Sequence, residues 1–193
     1  MANVYILLTK TGSVFSQTIG LYTGAPYNHV SISLNKELTE LYSFGRKKPY
    51  NPVRAGFVKE CVHNGVYARF PNTTCEIYSL QVSERQKDKM QRVIQHFKKN
   101  DRNYRYNLLG IATVPFGKSL DRRHAYFCSQ FVATVLKIAG IEVWEKPLGL
   151  ITPDEYRKTS QLDKIYEGPL HQYFDTLHEN QQHLSIPNQM FQI

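Results

Sequence analysis

The sequence predicts an α+β fold, because segments with the two-residue alternation of strands are interspersed with segments of helical period. The clearest strand is His29-Val-Ser-Ile-Ser-Leu34, in which apolar residues occupy the even positions. The clearest helices are residues 84–99, which carry an apolar stripe, and a segment that begins at Cys128 and stops at Gly140. At 193 residues the chain is long enough for one domain with a substantial core.

The N-terminal third is expected to contain strands and one short helix. Residues 3–9 form an apolar strand, and residues 13–22 form a short helix. The His29 strand turns and returns over residues 38–44, which gives a hairpin. Residues 45–74 are rich in Gly, Pro, Asn and Arg. They are predicted to be a long, partly ordered loop of the kind that often shapes a binding cleft.

The rest of the chain is expected to alternate strands with helices. Residues 74–82 form a strand, and Ser83-Glu-Arg-Gln86 is a capping box for the helix that follows. After the Cys128 helix, Thr152-Pro-Asp-Glu155 starts a short helix, and residues 162–166 form a short strand.

The chain divides into a domain at residues 1–168 and a polar C-terminal tail at residues 169–193. The tail is expected to be partly disordered or to serve as an oligomerisation arm. No apolar run approaches the ~20 residues of a membrane span. The start of the chain also lacks the basic region and cleavage site of a signal peptide. We therefore expect a cytoplasmic protein without a membrane span.

The number of cysteines and the net charge indicate which metals, disulfides and binding partners to expect. The three cysteines are an odd set without CxxC spacing, which disfavours a disulfide framework and a zinc site. The net charge of +8 indicates an anionic partner, such as peptide carboxylates or phospholipid head groups. Because Lys and Arg are scattered and match no nucleic-acid motif, nucleic acid is not the expected partner. No metal and no cofactor is expected.

A cysteine at the start of a helix and a histidine on a strand suggest a nucleophile and its base. Cys128 faces unsatisfied amide N–H groups and the positive end of the helix dipole, and both favour the thiolate. His29 opens the polar face of its strand, where Ser31 and Ser33 leave room beside the imidazole. A buried structural cysteine is the alternative interpretation of Cys128.

These residues belong to an ordered set of motifs that resembles the circularly permuted branch of the NlpC-type cysteine hydrolases, the YiiX-like group. In that branch the histidine precedes the cysteine, the reverse of ordinary papain-like enzymes, and here His29 precedes Cys128. The resemblance covers most of residues 3–168. Its motifs are Val4-Tyr-Ile-Leu-Leu8, Tyr22-Thr-Gly-Ala-Pro-Tyr-Asn-His29-Val-Ser-Ile32, Leu41-Tyr-Ser-Phe-Gly-Arg46, Tyr104-Arg-Tyr-Asn107, Phe127-Cys-Ser-Gln-Phe-Val132 and Thr152-Pro-Asp154.

The resemblance implies a fold and a chemistry. The implied fold is the circularly permuted papain-like (NlpC-type) fold, an antiparallel sheet flanked by helices with the Cys128 helix packed across the sheet end that bears His29. The implied function is that of a bacterial-type cysteine peptidase or amidase, which cleaves an amide through an acyl-enzyme. The family's usual substrates are cell-wall peptides, at bonds near D-glutamyl or diaminoacyl residues. Here we expect a small anionic peptide or another cytoplasmic amide.

The resemblance places the residue that orients the imidazole on the strand after the histidine strand, as His, Glu, Asp or Asn. A turn at residues 35–37 would put Ser43 opposite His29. A serine hydroxyl can accept the imidazole N–H bond, but it stabilises imidazolium less than a carboxylate does. Glu40 is the chemical alternative, through a register shift or a bulge.

Tyr106 is the candidate for binding the substrate carbonyl or the oxyanion. The step Tyr106-Asn107 resembles the Tyr-Asn step that precedes the cysteine helix in the family, where the hydroxyl points into the site. The second oxyanion donor would be the backbone N–H of Cys128. With 13 tyrosines in the chain, an ordinary core position is an equal alternative. The remaining thiols and imidazoles are expected to be packing or surface residues: Cys61, Cys75, His63, His96, His124, His171, His178 and His183.

Two other functions remain open. Lipid acyltransferases or deacylases of the lecithin–retinol-acyltransferase type share the permuted order of His29 and Cys128, but they usually carry a membrane anchor or an amphipathic segment. A non-catalytic binding module on the same fold is the other, and the serine at position 43 is its best support. A thiol-reactive probe would separate both enzyme classes from the module.

Overall fold

The computed structural model describes residues 1–12, 25–48 and 51–177 of the chain. These residues contain eight strands: β1 (Ala2–Lys10), β2 (His29–Ser33), β3 (Leu41–Lys48), β4 (Asn51–Glu60), β5 (Thr74–Val82), β6 (Arg105–Tyr106), β7 (Ala125–Tyr126) and β8 (Asp163–Pro169). Six of them form one antiparallel sheet in the order β4-β3-β2-β1-β5-β8, and β6 pairs with β7 in parallel. The helices are α1 (Gly65–Arg69), α2 (Glu84–Lys99), α3 (Leu108–Thr113), α4 (Cys128–Ile138) and α5 (Pro153–Lys158).

β1 lies at the centre of the sheet, between β2 and β5. Val4, Ile6 and Leu8 face the main core, whereas Leu7 faces a second core on the other side. A strand that is buried on both faces has a continuous apolar run, which is what residues 4–8 show. β1 therefore separates two packed layers.

The main core lies between the sheet and the helices α2 and α4. Four phenylalanines fill its centre: Phe44 of β3, Phe57 of β4, Phe97 of α2 and Phe131 of α4. Their ring centroids are 5.1–6.0 Å apart, in edge-to-face, tilted and stacked contacts. Such pairs stabilise a core beyond the apolar area that they bury. This cluster fixes α4 against β3 and β4.

The opposite face of the sheet is covered by α1 and by the helical residues 172–177. Tyr67, Tyr173 and Leu177 pack there against Leu7. The packed body therefore continues past residue 169, where the polar tail was predicted to begin. Residues 178–193 lie outside the described residues.

Several elements begin and end where the sequence signals predicted. At the start of α2, the Gln86 N–H donates to Ser83 Oγ (3.2 Å), and the Ser83 N–H donates to Gln86 Oε1 (2.9 Å). α4 ends at Ile138, and Gly140 follows with φ +84°. α5 begins after Thr152 with a second capping box. These boundaries confirm the local signals.

Two segments differ from the prediction. Residues 45–74, predicted to be a loop, contain β4 and α1, and β4 is an edge strand paired with β3. The returning hairpin strand is Leu41–Lys48 rather than residues 38–44. The Asn35 side chain accepts the backbone N–H groups of the two residues before that strand, which holds them in a turn. The helix predicted at residues 13–22 lies outside the described residues.

The structure confirms the α+β class and an antiparallel sheet flanked by helices. The finer assignment to a permuted papain-like fold remains a proposal. Within the described ranges, no helix has the length and apolar character needed to cross a bilayer.

Candidate active site

Cys128 is the first residue of α4. It follows Phe127, whose backbone is extended (φ −109°, ψ 170°) and whose side chain does not cap the helix. The thiol is buried, with 4 % of the residue exposed. Phe131 and Val132, one turn later, hold this end of α4 in the main core. The amide N–H groups of the first turn favour negative charge at this position.

His29 is the first residue of β2, and its imidazole contacts a carboxylate. The distance from His29 Nε2 to Oε1 of Glu60, the last residue of β4, is 2.7 Å. β3 lies between β2 and β4, so this contact has to cross it. Gly45 of β3 lies under the crossing: a Cβ there would lie 3.4 Å from His29 Cε1 and 3.7 Å from Glu60 Oε1, which is ordinary van der Waals contact. A side chain larger than that of alanine at residue 45 would compete with the imidazole for space.

Glu60 is held ionised by its surroundings. Its Oε2 accepts hydrogen bonds from Ser31 Oγ (2.6 Å) and from the Tyr67 hydroxyl (3.0 Å). Burial would raise the pKa of Glu60, but the charge of His29 and these hydrogen bonds outweigh it and lower the pKa. Burial also keeps the pKa of Tyr67 well above its usual range, so its hydroxyl remains a donor.

Cys128 and His29 lie close enough to shift each other's pKa. Because Nε2 is engaged by Glu60, Nδ1 is the ring nitrogen left for the thiol. Burial would lower the pKa of His29, but Glu60 and Cys128 raise it to about 10. Burial would raise the pKa of Cys128, but the hydrogen bond and charge of His29 and the backbone N–H groups of Val30 and Ser129 lower it. Both shifts favour the thiolate–imidazolium form of the pair over the neutral form.

Tyr106 lies beside the same sulfur. The pairing of β6 with β7 sets Tyr106 next to Tyr126, two residues before Cys128. Burial, the nearby charge of Cys128 and a hydrogen bond between the two side chains keep the pKa of Tyr106 well above its usual range. A protonated phenol here can donate to the thiolate or to an oxyanion that forms beside it. The structure thus brings Tyr106 to Cys128, while its role in binding substrate remains a prediction.

The partner of the imidazole is neither Ser43 nor Glu40. The observed β2–β3 register is shifted by two residues from the predicted one, so that Ser43 stands opposite Ser31 rather than His29. Ser43 Oγ instead donates to the backbone carbonyl of the residue after His29 (2.7 Å). Glu40 lies in the turn before β3. Both placements are corrections to the sequence prediction, because the carboxylate at the imidazole is Glu60.

Among the described residues, Cys75, Cys61 and His63 lie in packing or surface positions. Cys75 is fully buried in the second core, and burial raises its pKa to about 12. Cys61 is exposed, and the ring of His63 packs against an aromatic side chain. His178 and His183 lie outside the described residues. Over the ranges that the structure describes, no group of three or more His, Cys, Asp or Glu side chains could hold a metal ion.

Comparison with known proteins does not identify the chain. No protein-family model, curated protein or solved structure matches it. The family suggested by the sequence motifs is therefore a proposal, and the chemistry has to be judged from the geometry of the site.

As pH is raised, iodoacetamide is expected to alkylate Cys128 before Cys61 and Cys75. The lowered pKa of Cys128 gives it a larger thiolate fraction below pH ~8.5 than an ordinary thiol has. Peptide mass spectrometry across the pH range will measure the order of labelling. His29→Ala should move the onset for Cys128 to higher pH, because burial then dominates its pKa. Labelling of Cys61 ahead of Cys128 at acid pH would contradict the ion pair.

Proposed function

We propose that this protein is a cysteine hydrolase of the permuted NlpC type that cleaves an amide bond through an acyl-enzyme. The observation that carries the proposal is the grouping of Cys128, His29 and Glu60. The imidazole lies between a thiol at a helix N-terminus, whose pKa it lowers, and a carboxylate 2.7 Å away whose side chain is only 13 % exposed. A nucleophile, a base and an orienting group in hydrogen-bond reach form the arrangement on which acyl transfer depends.

In the acylation step, the Cys128 thiolate attacks the carbonyl carbon of the amide. The oxyanion that forms receives hydrogen bonds from the Tyr106 hydroxyl and the Cys128 backbone N–H. The His29 imidazolium then gives its proton to the amide nitrogen, the C–N bond breaks, and the amine leaves. Glu60 keeps the imidazole in the orientation that this transfer requires.

In the deacylation step, neutral His29 removes a proton from a water molecule that attacks the thioester. The C–S bond breaks, the carboxylic acid leaves, and the thiolate and imidazolium are restored. Glu60 stabilises the imidazolium in this step as well. The cycle needs no cofactor, because every proton is carried by His29.

The substrate we propose is a small peptide that carries a carboxylate. Arg46 of β3 and Arg69 of α1 both lie over the ring of Phe70, with guanidinium carbons 5.7 Å and 5.8 Å from its centroid. Burial and the charge of Arg69 lower the pKa of Arg46, which in turn lies close enough to influence Tyr106. Two neighbouring positive charges, of which Arg46 acts on Tyr106, favour an anionic group on the substrate.

Peptide amides at D-glutamyl and diaminoacyl bonds are the compounds with which to test this proposal. We expect release of the amine and a mass adduct on Cys128. Cys128→Ser should lower the rate by about 10⁴-fold or more, because a hydroxyl is not ionised near neutral pH. Cys61→Ser is the matched control and should keep full activity. Hydrolysis that survives in Cys128→Ser would contradict the proposal, and a Cys128 that forms no adduct would indicate a non-catalytic module.

A second candidate function is acyl transfer to or from a lipid by the same residues. It is favoured by the exposed Leu108 and Leu109, which begin two residues after Tyr106. Assaying a phospholipid ester in parallel with the peptide amides would distinguish the two functions. Only an enzyme that acts on lipids would leave a fatty-acyl adduct on Cys128.

A further inference from the structure

Apolar side chains are concentrated on the surface of one short segment, residues 108–120. Among the described residues, seven large apolar side chains are exposed, and four of them lie here: Leu108 (49 %), Leu109 (57 %), Phe116 (70 %) and Leu120 (40 %). Single exposed apolar side chains are common on protein surfaces, but a concentration of them marks an interaction site. The other three, Met1, Ile138 and Ile165, lie elsewhere in the chain.

The buried side chain of Asn107 connects the two ends of this segment by hydrogen bonds. Asn107 Oδ1 accepts the Gly110 N–H (3.0 Å) at the start of α3, and Asn107 Nδ2 donates to the carbonyl oxygen of Leu120 (2.9 Å). Gly110 permits this approach, because a Cβ there would lie 2.3 Å from Asn107 Nδ2. The two ends of the segment, which contains α3, are thus tied together.

The segment adjoins the candidate active site. Asn107 directly follows Tyr106, whose hydroxyl lies close enough to Cys128 for the thiol to shift its pKa. At the other end, Asp121 Oδ1 accepts a hydrogen bond from Gln130 Nε2 in the first turn of α4 (3.0 Å). Whatever binds residues 108–120 therefore lies at the rim of the Cys128 site.

The surroundings of the segment are basic. Arg105, Lys118, Arg122 and Arg123 are all exposed, and within the described part of the chain none of the four is in an ion pair. The one acidic residue among them, Asp121, bonds to Gln130. A second copy of this chain would bring two such basic rims together, which electrostatic repulsion disfavours.

We propose that residues 108–120 dock the protein onto an anionic phospholipid surface. Leucine and phenylalanine side chains enter the boundary between head groups and acyl chains, and flanking Lys and Arg side chains bind the anionic head groups. The apolar and the basic side chains lie on or beside the same short segment, so their contributions to the free energy of membrane binding add. This docking is independent of which bond Cys128 cleaves.

Sedimentation with vesicles of phosphatidylcholine, with and without phosphatidylglycerol, tests the proposal. The full-length protein should bind the vesicles that contain phosphatidylglycerol, and salt should weaken the binding. The double variant Leu109→Ser/Phe116→Ser and the double variant Arg122→Gln/Arg123→Gln should each lose about tenfold or more in partitioning. Ile138→Ser is the matched control, since it removes an equally exposed apolar side chain from the far end of α4.

Two further measurements separate a loss of docking from misfolding and from a loss of catalysis. Circular dichroism and alkylation of Cys128 show whether each variant is folded, and Cys128→Ser should bind vesicles like the wild type, so that docking and catalysis can fail separately. Absence of binding to either vesicle would overturn the proposal, as would full binding by Leu109→Ser/Phe116→Ser. A dimer in solution that this same double variant dissociates would also overturn it, because a second copy would then cover the segment.

Discussion

Glu60→Gln is expected to lower amide turnover by about 10³- to 10⁴-fold, the scale of loss when the carboxylate that orients a catalytic histidine becomes an amide. Glutamine keeps the size of the side chain but removes the charge that raises the pKa of His29 to about 10. The proton donor for the leaving amine is the imidazolium, so wild-type turnover should fall as pH rises through about 10. In Glu60→Gln, the fall in turnover with rising pH should occur at a lower pH than in the wild type.

The same substitution should also slow alkylation of Cys128 below pH ~8.5, because less of the thiol is ionised beside a weaker imidazolium. This measurement needs no substrate. Glu40→Gln is the matched control: it removes the same charge from the turn before β3, and both rates should stay within a few-fold of the wild type. Equal losses in the two variants would assign the effect to charge alone and refute Glu60 as the partner of His29.

Arg157→Met is expected to destabilise the fold by about 2–3 kcal/mol and to lower Tm by about 4–12 °C. Glu76 of β5 is fully buried, and Arg157 of α5 binds both of its oxygens, at 2.7 Å and 3.1 Å. Without Arg157, the carboxylate keeps the Tyr78 hydroxyl at 2.8 Å and Lys164 at 3.7 Å. The expected loss is smaller than for a fully buried pair, because the Arg157 side chain is 31 % exposed.

The pH dependence of this loss follows from the pKa of Glu76. Burial would raise that pKa, but the hydrogen bonds from Arg157 and Tyr78 outweigh it and lower the pKa. A carboxyl whose pKa is lower in the folded protein stabilises the fold above its unfolded pKa of ~4.3 and loses that contribution as pH falls. The difference between wild type and Arg157→Met should therefore be full near pH 7 and shrink in acid.

Lys158→Met is the matched control for thermal unfolding. Lys158 also pairs with a carboxylate, Asp154, but its side chain is 71 % exposed. Exposed pairs contribute little, so Lys158→Met should lower Tm far less than Arg157→Met does. An equal loss in the two variants would show that the effect of Arg157→Met does not come from the buried carboxylate of Glu76.

Glu60 is the site residue that the sequence analysis did not predict. Residues 51–60 hold Pro52 and Gly56, which argue against a central strand. β4 tolerates them because it is the edge strand of the sheet. An acidic residue at the end of a weak strand pattern gives no local sign that it is buried. Only the position of β4 beside β3 brings it to His29.

The sequence by itself determined the features that depend on neighbouring residues. The capping boxes, the buried run of β1, the helix that starts at Cys128 and the strand that starts at His29 all follow from local spacing, and the structure contains each of them. The α+β class follows from the same patterns.

Tertiary structure decided which side chains meet. A two-residue difference in the β2–β3 register moved Ser43 away from His29. It is Gly45 that lies beside the imidazole, which reaches across β3 to Glu60. Strand register depends on pairing across the whole sheet, on turn geometry and on packing on both faces. None of these is fixed by the residues next to His29 in the chain, which is why the thiol and the imidazole could be named from the sequence and the carboxylate could not.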